Sequence, residues 1–167
     1  QPHPPASAGV ALVPWTRNER SAVAGLKTTS YAENVVALRR AQELGAIEAL
    51  VTNTAGLLCE GTGSNVFLVE GERVVTPDLA SGCLAGITRE LVIEWGREAG
   101  FDVVEEPIEV DRLLSADEVF ITSSTRDVFA VHAVDERHRR ARRHREAHRR
   151  RPAGGAGAAQ RLCRHRS

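Results

Sequence analysis

The chain has 167 residues, of which 42% are hydrophobic, and its 22 basic residues balance 22 acidic ones. That length allows one domain of ordinary size, and no apolar run approaches the roughly 18 residues that a membrane-spanning helix requires. Cys59, Cys83 and Cys163 are an odd number at wide spacing, which matches neither a zinc site nor a disulfide framework.

The neutral total hides a split. Residues 1–135 hold 10 basic and 20 acidic residues, whereas residues 136–167 hold 12 basic and 2 acidic ones. Such asymmetry predicts an acidic folded body and a basic tail. The chain opens on Gln1 and has no methionine, so it is expected to start inside a longer reading frame or after processing. A reducing, cytoplasmic setting is the default for this cysteine usage.

In chain order, residues 1–8 are rich in Pro and Ala and read as a loop or severed linker. Gly9 to Trp15 reads as a strand closed by Pro14. Tyr31 to Leu44 reads as a helix. Val35, Val36, Leu38, Ala41 and Leu44 recur near helical period, and Gly45 sits where a C-terminal cap belongs. Ala49 to Asn53, Leu57 to Cys59 and Asn65 to Val69 read as strands, and Glu70-Gly71-Glu72 as a hairpin turn into Arg73 to Thr76. A second helix is expected from about Thr88 to Ala99, with Leu91, Val92 and Trp95 on one face and Gly100 as its stop. Phe101 to Val110 reads as a strand, Asp111 to Ser115 as a helical turn, and Glu118 to Thr122 and Val128 to Val134 as strands. Strands mixed with two clear helices predict an α+β fold over residues 9–135.

Residues 136–167 have almost no large apolar side chains and no periodicity, so they cannot offset their ordering entropy by burial. Three readings fit this tail: a disordered segment, a nucleic-acid-binding arm, or a shifted reading frame in GC-rich coding sequence. The arm is disfavoured because no aromatic residues interleave the arginines.

Of the 22 long basic residues, only Lys27 is a lysine. Guanidinium stays protonated, whereas a primary amine can lose its proton and attack a carbonyl to form a Schiff base. Lys27 is therefore a candidate nucleophile, set against the plainer reading of a surface lysine left by codon bias. It follows the short apolar stretch Ala22 to Leu26 and precedes a helix, which predicts an amine at a strand end.

Three further segments carry chemistry. Cys59-Glu60-Gly61-Thr62-Gly63-Ser64-Asn65 puts a carboxylate beside two glycines, either facing a ligand or as a solvated turn. Gly86-Ile87-Thr88-Arg89 opens the second helix, where free amides favour an anion and Thr88 adds a hydroxyl, unless Thr88 only caps the helix. Thr122-Ser123-Ser124-Thr125 puts four hydroxyls directly after a strand. An amine, a carboxylate and two anion cradles together suit pyridoxal 5'-phosphate: the aldehyde needs the amine, the ring nitrogen an acid, and the phosphate the N–H and O–H donors.

From about Val13 to Asp135 the chain resembles the class IV (fold-type IV) pyridoxal-phosphate enzymes. These include branched-chain aminotransferases, D-amino acid aminotransferases and 4-amino-4-deoxychorismate lyases. The resemblance is carried by E-G-x-G-S-N-x-F from Glu60, T-P at Thr76, G-I-T-R from Gly86 and A-D-E-V-F-x-T-S from Ala116. The pattern R-N-x(5)-A-G-x-K ending at Lys27 looks most like the lyase branch.

The resemblance implies a mixed β-sheet or pseudo-barrel with flanking helices, as in the large, cofactor-binding domain of the family. It implies that Lys27 carries the cofactor and moves protons, and that Glu60 faces the pyridine nitrogen. It further implies that Ile87 and Thr88 bind phosphate at the helix start, with Ser123 and Ser124 as the second phosphate loop. Leu84 would pack on the ring face, Tyr31 would reach the cofactor's phenolic oxygen, and Asn65 would be structural. The family also has an N-terminal small domain, which brings an arginine to the phosphate, and a structured segment after the last strand. On that expectation these residues are the cofactor domain of a larger homodimeric enzyme with a small-molecule substrate. The implied activity is conversion of 4-amino-4-deoxychorismate to 4-aminobenzoate and pyruvate, towards folate. The alternative is transamination of branched-chain or D-amino acids, and a reading from another class is a basic-tailed nucleic-acid binder.

Overall fold

A computed structural model describes residues 8–135; the expectations for residues 1–7 and for the basic segment 136–167 lie outside the described residues. Eight strands and three α-helices follow one another in the order β1 (Ala8–Arg17), α1 (Ala32–Glu43), β2 (Glu48–Asn53), β3 (Leu58–Gly61), β4 (Asn65–Glu70), β5 (Arg73–Thr76), α2 (Ile87–Glu98), β6 (Asp102–Glu105), α3 (Val110–Ser115), β7 (Glu118–Ser123) and β8 (Asp127–Val134). The strands form one mixed sheet in the order β3-β2-β1-β8-β7-β4-β5-β6. This is the α+β architecture expected.

Two crossovers build the parallel pairs. β1 runs parallel to β2 across α1, and β5 runs parallel to β6 across α2. The remaining neighbours are antiparallel, except that β1 also lies parallel to β8. Gly71 has φ +67 in the two-residue turn between Glu70 and Arg73, which pair, so the expected hairpin is present.

Alternation along the strands sorts the core onto two faces. Val10, Leu50, Val66, Leu68 and Ile121 turn to the face covered by Ile108 and by Leu113 of α3. Ala11, Val13, Ala49 and Val51 pack under Ala37 and Ala41 of α1. Phe67, Val69, Val74 and Phe120 pack under Val92 and Ile93 of α2. Helices α1 and α2 thus share one face and leave a gap between them.

Several local expectations are corrected. β1 begins at Ala8, inside the segment read as a loop, and it does not stop at Pro14. Proline lacks the amide a ladder needs, and the β1–β2 register shifts between Leu12 and Thr16, so the strand accommodates Pro14 as an irregularity and continues to Arg17. Ala22 to Leu26 is no strand: it is a series of turns, with Ala24 N–H donating to Ser21 O at 3.0 Å and Leu26 N–H to Val23 O at 3.1 Å. Strand β6 covers only Asp102–Glu105 of the expected Phe101–Val110. The carboxyl end of that span leaves the sheet at Pro107, and Val110 already opens α3.

The helix faces also differ from the periodic reading. α1 buries Ala37 and Ala41, whereas Val35, Val36 and Leu44 are exposed. Two alanines one turn apart let the helix approach β1 and β2 closely, so small residues define the inner face. α2 buries Arg89, Val92, Ile93 and Gly96, with Leu91 and Trp95 at its half-buried edges. Arg89 enters that face because Glu105 Oε2 accepts from its Nη2 at 2.7 Å and Pro77 O at 2.8 Å.

Candidate active site

The gap between α1 and α2 holds a cavity of about 620 Å³, bounded by the end of β1, the loop to α1, the Glu60–Asn65 turn, the start of α2 and the β7–β8 turn. Lys27, Tyr31, Glu60, Leu84, Ile87, Thr88, Ser123 and Ser124 all line it. Residues from four separate sequence segments therefore meet in one place. Lys27 is not at a strand end: it lies in the irregular loop that links β1 to α1, exposed to the cavity mouth.

Glu60 is the best-held group. Its Oε2 accepts the Leu84 amide at 2.9 Å, and its Oε1 lies 3.2 Å from Arg17 Nη2. Burial pushes the Glu60 carboxyl up, against the pull of the Leu84 amide and the Arg17 guanidinium. It is therefore not the solvated turn residue that a lone E-G-x-G suggests. A carboxylate has about four lone-pair sites, so two contacts leave capacity for a third partner.

The surroundings brace this group. Arg17 Nη2 also donates to Asn34 Oδ1 at 3.0 Å, and Asn34 Nδ2 donates to Thr62 O at 2.9 Å. Asn65 Nδ2 donates to Leu84 O at 2.8 Å, so Asn65 fixes the segment whose amide binds Glu60. Gly82 has φ +90, and a Cβ there would meet the Glu19 backbone at 2.9 Å; only glycine lets the Glu19 loop approach this closely. Glu19 in turn accepts from the Thr54 amide at 3.0 Å and the Thr54 hydroxyl at 2.6 Å, which anchors the stretch leading to Lys27.

The opposite end is rich in donors. Gly86 is the N-cap of α2 and no side chain caps the helix, so Thr88 is not spent on capping. The first amides of a helix have no partner within it. Ile87 points outward and is 72% exposed, so its contribution to the cavity is its backbone. Ser123 Oγ accepts from the Arg126 amide at 3.2 Å and lies 3.3 Å from Thr125 Oγ1. Thr122 Oγ1 is buried and has no partner among the described residues, nor has Arg17 Nε.

Sequence reasoning missed the roles of Arg17, Asn34, Thr62 and Arg126. Arg17 opens the stretch that ends at Lys27, but only the fold brings it to Glu60. The usable signal for Glu48, which lies beneath this site, was an acid in the apolar run Ala46–Val51.

An amine, a buried acid and a donor-rich far wall can bind a ligand that is basic at one end and anionic at the other. The Amino-transferase class IV family model matches residues 1–134. The chain belongs to that family. Its members depend on pyridoxal phosphate. The chain is 38% identical to the D-alanine aminotransferase of Bacillus licheniformis, over 66% of its own length and 38% of the relative's. It is 32% identical to the aminodeoxychorismate lyase of Bacillus subtilis, over 66% and 38% of the two chains. Among solved structures, the branched-chain aminotransferase of Thermoproteus uzoniensis with norvaline superposes with a TM-score of 0.81 at 27% identity, covering 95% of this chain and 50% of that one. The chain thus spans about two fifths of the length of the curated relatives it matches.

The cavity fits the cofactor of this family. A raised carboxyl with spare acceptor capacity suits a protonated ring nitrogen. An orphaned threonine hydroxyl, an uncapped helix start and two serines suit a phosphate. Among the described residues no helix is long and apolar enough to cross a membrane.

Proposed function

We propose that the cavity binds pyridoxal 5'-phosphate and that this chain carries the cofactor site of an enzyme acting at the Cα–H bond of an amino-acid substrate. The observation that carries the reading is the convergence of the single lysine, the braced Glu60 and the α2 start on one cavity. When bound, the cofactor supplies an aldehyde for a primary amine and a ring that takes up electron density from the neighbouring carbon.

Lys27 is the amine that holds the aldehyde and then takes and returns the Cα proton. Glu60 keeps a proton at the pyridine nitrogen, with Arg17 and the Leu84 amide fixing its angle. The Ile87 and Thr88 amides, the Thr88 hydroxyl and the Ser123 and Ser124 hydroxyls bind phosphate. Leu84 and Tyr31 also line the cavity, where Leu84 would pack on the ring face and Tyr31 would reach the phenolic oxygen.

The first reading of the reaction is elimination from 4-amino-4-deoxychorismate, giving 4-aminobenzoate and pyruvate for folate synthesis. Its support is the R-N-x(5)-A-G-x-K pattern and the lyase relative. Transamination is the second reading, favoured by the identity to the D-alanine aminotransferase and the likeness to the branched-chain enzyme. A cytoplasmic homodimer with a small-molecule substrate completes the proposal.

Titrating the chain with pyridoxal 5'-phosphate while following visible absorbance tests the site. A saturable absorbance that borohydride fixes covalently is expected, and its absence would overturn the reading. The reaction is then tested with the enzyme containing this chain. 4-Aminobenzoate with pyruvate marks the lyase, and a 2-oxo acid released without elimination marks the aminotransferase.

A further inference from the structure

Glu48 is only 2% exposed, in a strand whose neighbours are buried on both faces. A carboxylate is costly in such a place unless every oxygen is satisfied. Here both are. Oε1 accepts from the Ala49 amide at 3.2 Å, the Thr62 amide at 3.1 Å and the Thr62 hydroxyl. Oε2 accepts from Ser64 Oγ at 3.2 Å and from Arg126 Nη1 at 3.3 Å. Thr62 and Ser64 form the turn that follows Glu60. Arg126 belongs to the β7–β8 turn, and its own amide donates to Ser123 Oγ at 3.2 Å. One side chain therefore touches the turns at both ends of the cavity.

We propose that Glu48 is a positioning residue: by holding Thr62 and Ser64 on one side and Arg126 on the other, it fixes the spacing between the Glu60 carboxylate and the Ser123–Thr125 hydroxyl turn. This rests on the reading of the cavity as a pyridoxal-phosphate site, and it names the group that matches the cavity's two ends to one ligand. A purely stabilising role fits less well. The guanidinium half of the Glu48–Arg126 pair is 39% exposed, and half-solvated pairs contribute little to stability. What the contact does supply is a fixed place for a turn whose hydroxyls are otherwise half or fully exposed.

The test uses the whole 167-residue chain and its Arg126→Gln, Arg126→Lys, Glu48→Gln and Glu48→Gln/Arg126→Gln variants. Each is titrated with pyridoxal 5'-phosphate and with pyridoxal, which has the same ring and aldehyde but no phosphate, and thermal midpoints are recorded alongside. Arg126→Gln is expected to weaken pyridoxal 5'-phosphate about tenfold and to leave pyridoxal within about twofold. Arg126→Lys is expected to restore most of the loss. The double variant should be no weaker than Glu48→Gln alone, because both changes break one connection. Equal weakening of the two ligands, losses that track the thermal midpoint, or additive losses in the double variant would each overturn the proposal.

If the unaltered chain binds neither ligand, the cofactor reading fails, and hydrogen exchange on the ligand-free chain decides the positioning claim separately. Arg126→Gln is then expected to speed exchange at the Thr62 amide about tenfold without changing Val66 or Ile121 in the sheet. Unchanged exchange at Thr62 would overturn the coupling.

Discussion

Arg17 Nη2 stands 3.2 Å from Glu60 Oε1, while the other Glu60 oxygen takes the Leu84 amide at 2.9 Å. The carboxylate is thus held at both ends and its plane is set before any ligand arrives. Yet burial outweighs both contacts and leaves its proton affinity above the ordinary value of 4.5.

That balance predicts a pH dependence with a definite sign. Between 4.5 and the raised value, the folded chain holds a proton at Glu60 that the unfolded chain has released. Glu60 therefore lowers stability as pH rises through this window. Glu60→Gln removes the titration. In urea unfolding from pH 4.5 to neutrality, the ligand-free parent should lose stability relative to the variant. Identical pH slopes in the two proteins would show that Glu60 is not buried as described.

The same variant separates attachment from turnover. In the complete enzyme Glu60→Gln should keep the cofactor bound but cut turnover about a hundredfold or more, since a neutral amide cannot hold a proton at the ring nitrogen. Unchanged kcat would remove Glu60 from the site.

Lys27 is the only side-chain amine in the chain. Lys27→Ala should abolish the absorbance that borohydride fixes covalently to a side chain. Mass mapping that finds cofactor on any other side chain of the variant would refute the assignment.

Phe67 and Phe120 are both fully buried, with ring centroids 4.8 Å apart. They lie on the strands that also carry Asn65 and Thr122 into the cavity wall. Phe67→Ala should cost about 3–5 kcal/mol in denaturant unfolding. A loss under about 1 kcal/mol would mean that this layer repacks freely.

Burial pushes the Cys59 thiol up to about 12 and raises that of Cys83 as well. The thiolate is the reactive form, so both should resist iodoacetamide in the folded chain. In a Cys163→Ser variant, labelling should be slow until denaturant is added. Rapid labelling of the native protein would show that these thiols are not enclosed.

Much of the site was legible in the chain because its parts are local. A unique lysine, an acid beside Gly61 and Gly63, a Gly-Ile-Thr helix start and a run of four hydroxyls each announce chemistry over a few neighbouring residues. Most strand and helix spans, though not the ends of β1 or the length of β6, followed from alternation and period for the same reason. The Gly71 turn and the Gly45 cap needed only backbone preference, and Gly45 indeed has φ +75.

Tertiary structure decided the rest. The inner face of α1 went to Ala37 and Ala41 because close approach to β1 and β2 outweighed the larger apolar side chains. Pro14 stayed inside β1 because the ladder could shift register around it. Arg17 found Glu60, and Glu48 found Arg126, only because β1, β2 and the β7–β8 turn converge on one end of the sheet. Sequence patterns report what a residue prefers within a turn or two of itself. Which charges meet across a cavity depends on strand order and register, and those are set by how the whole core packs.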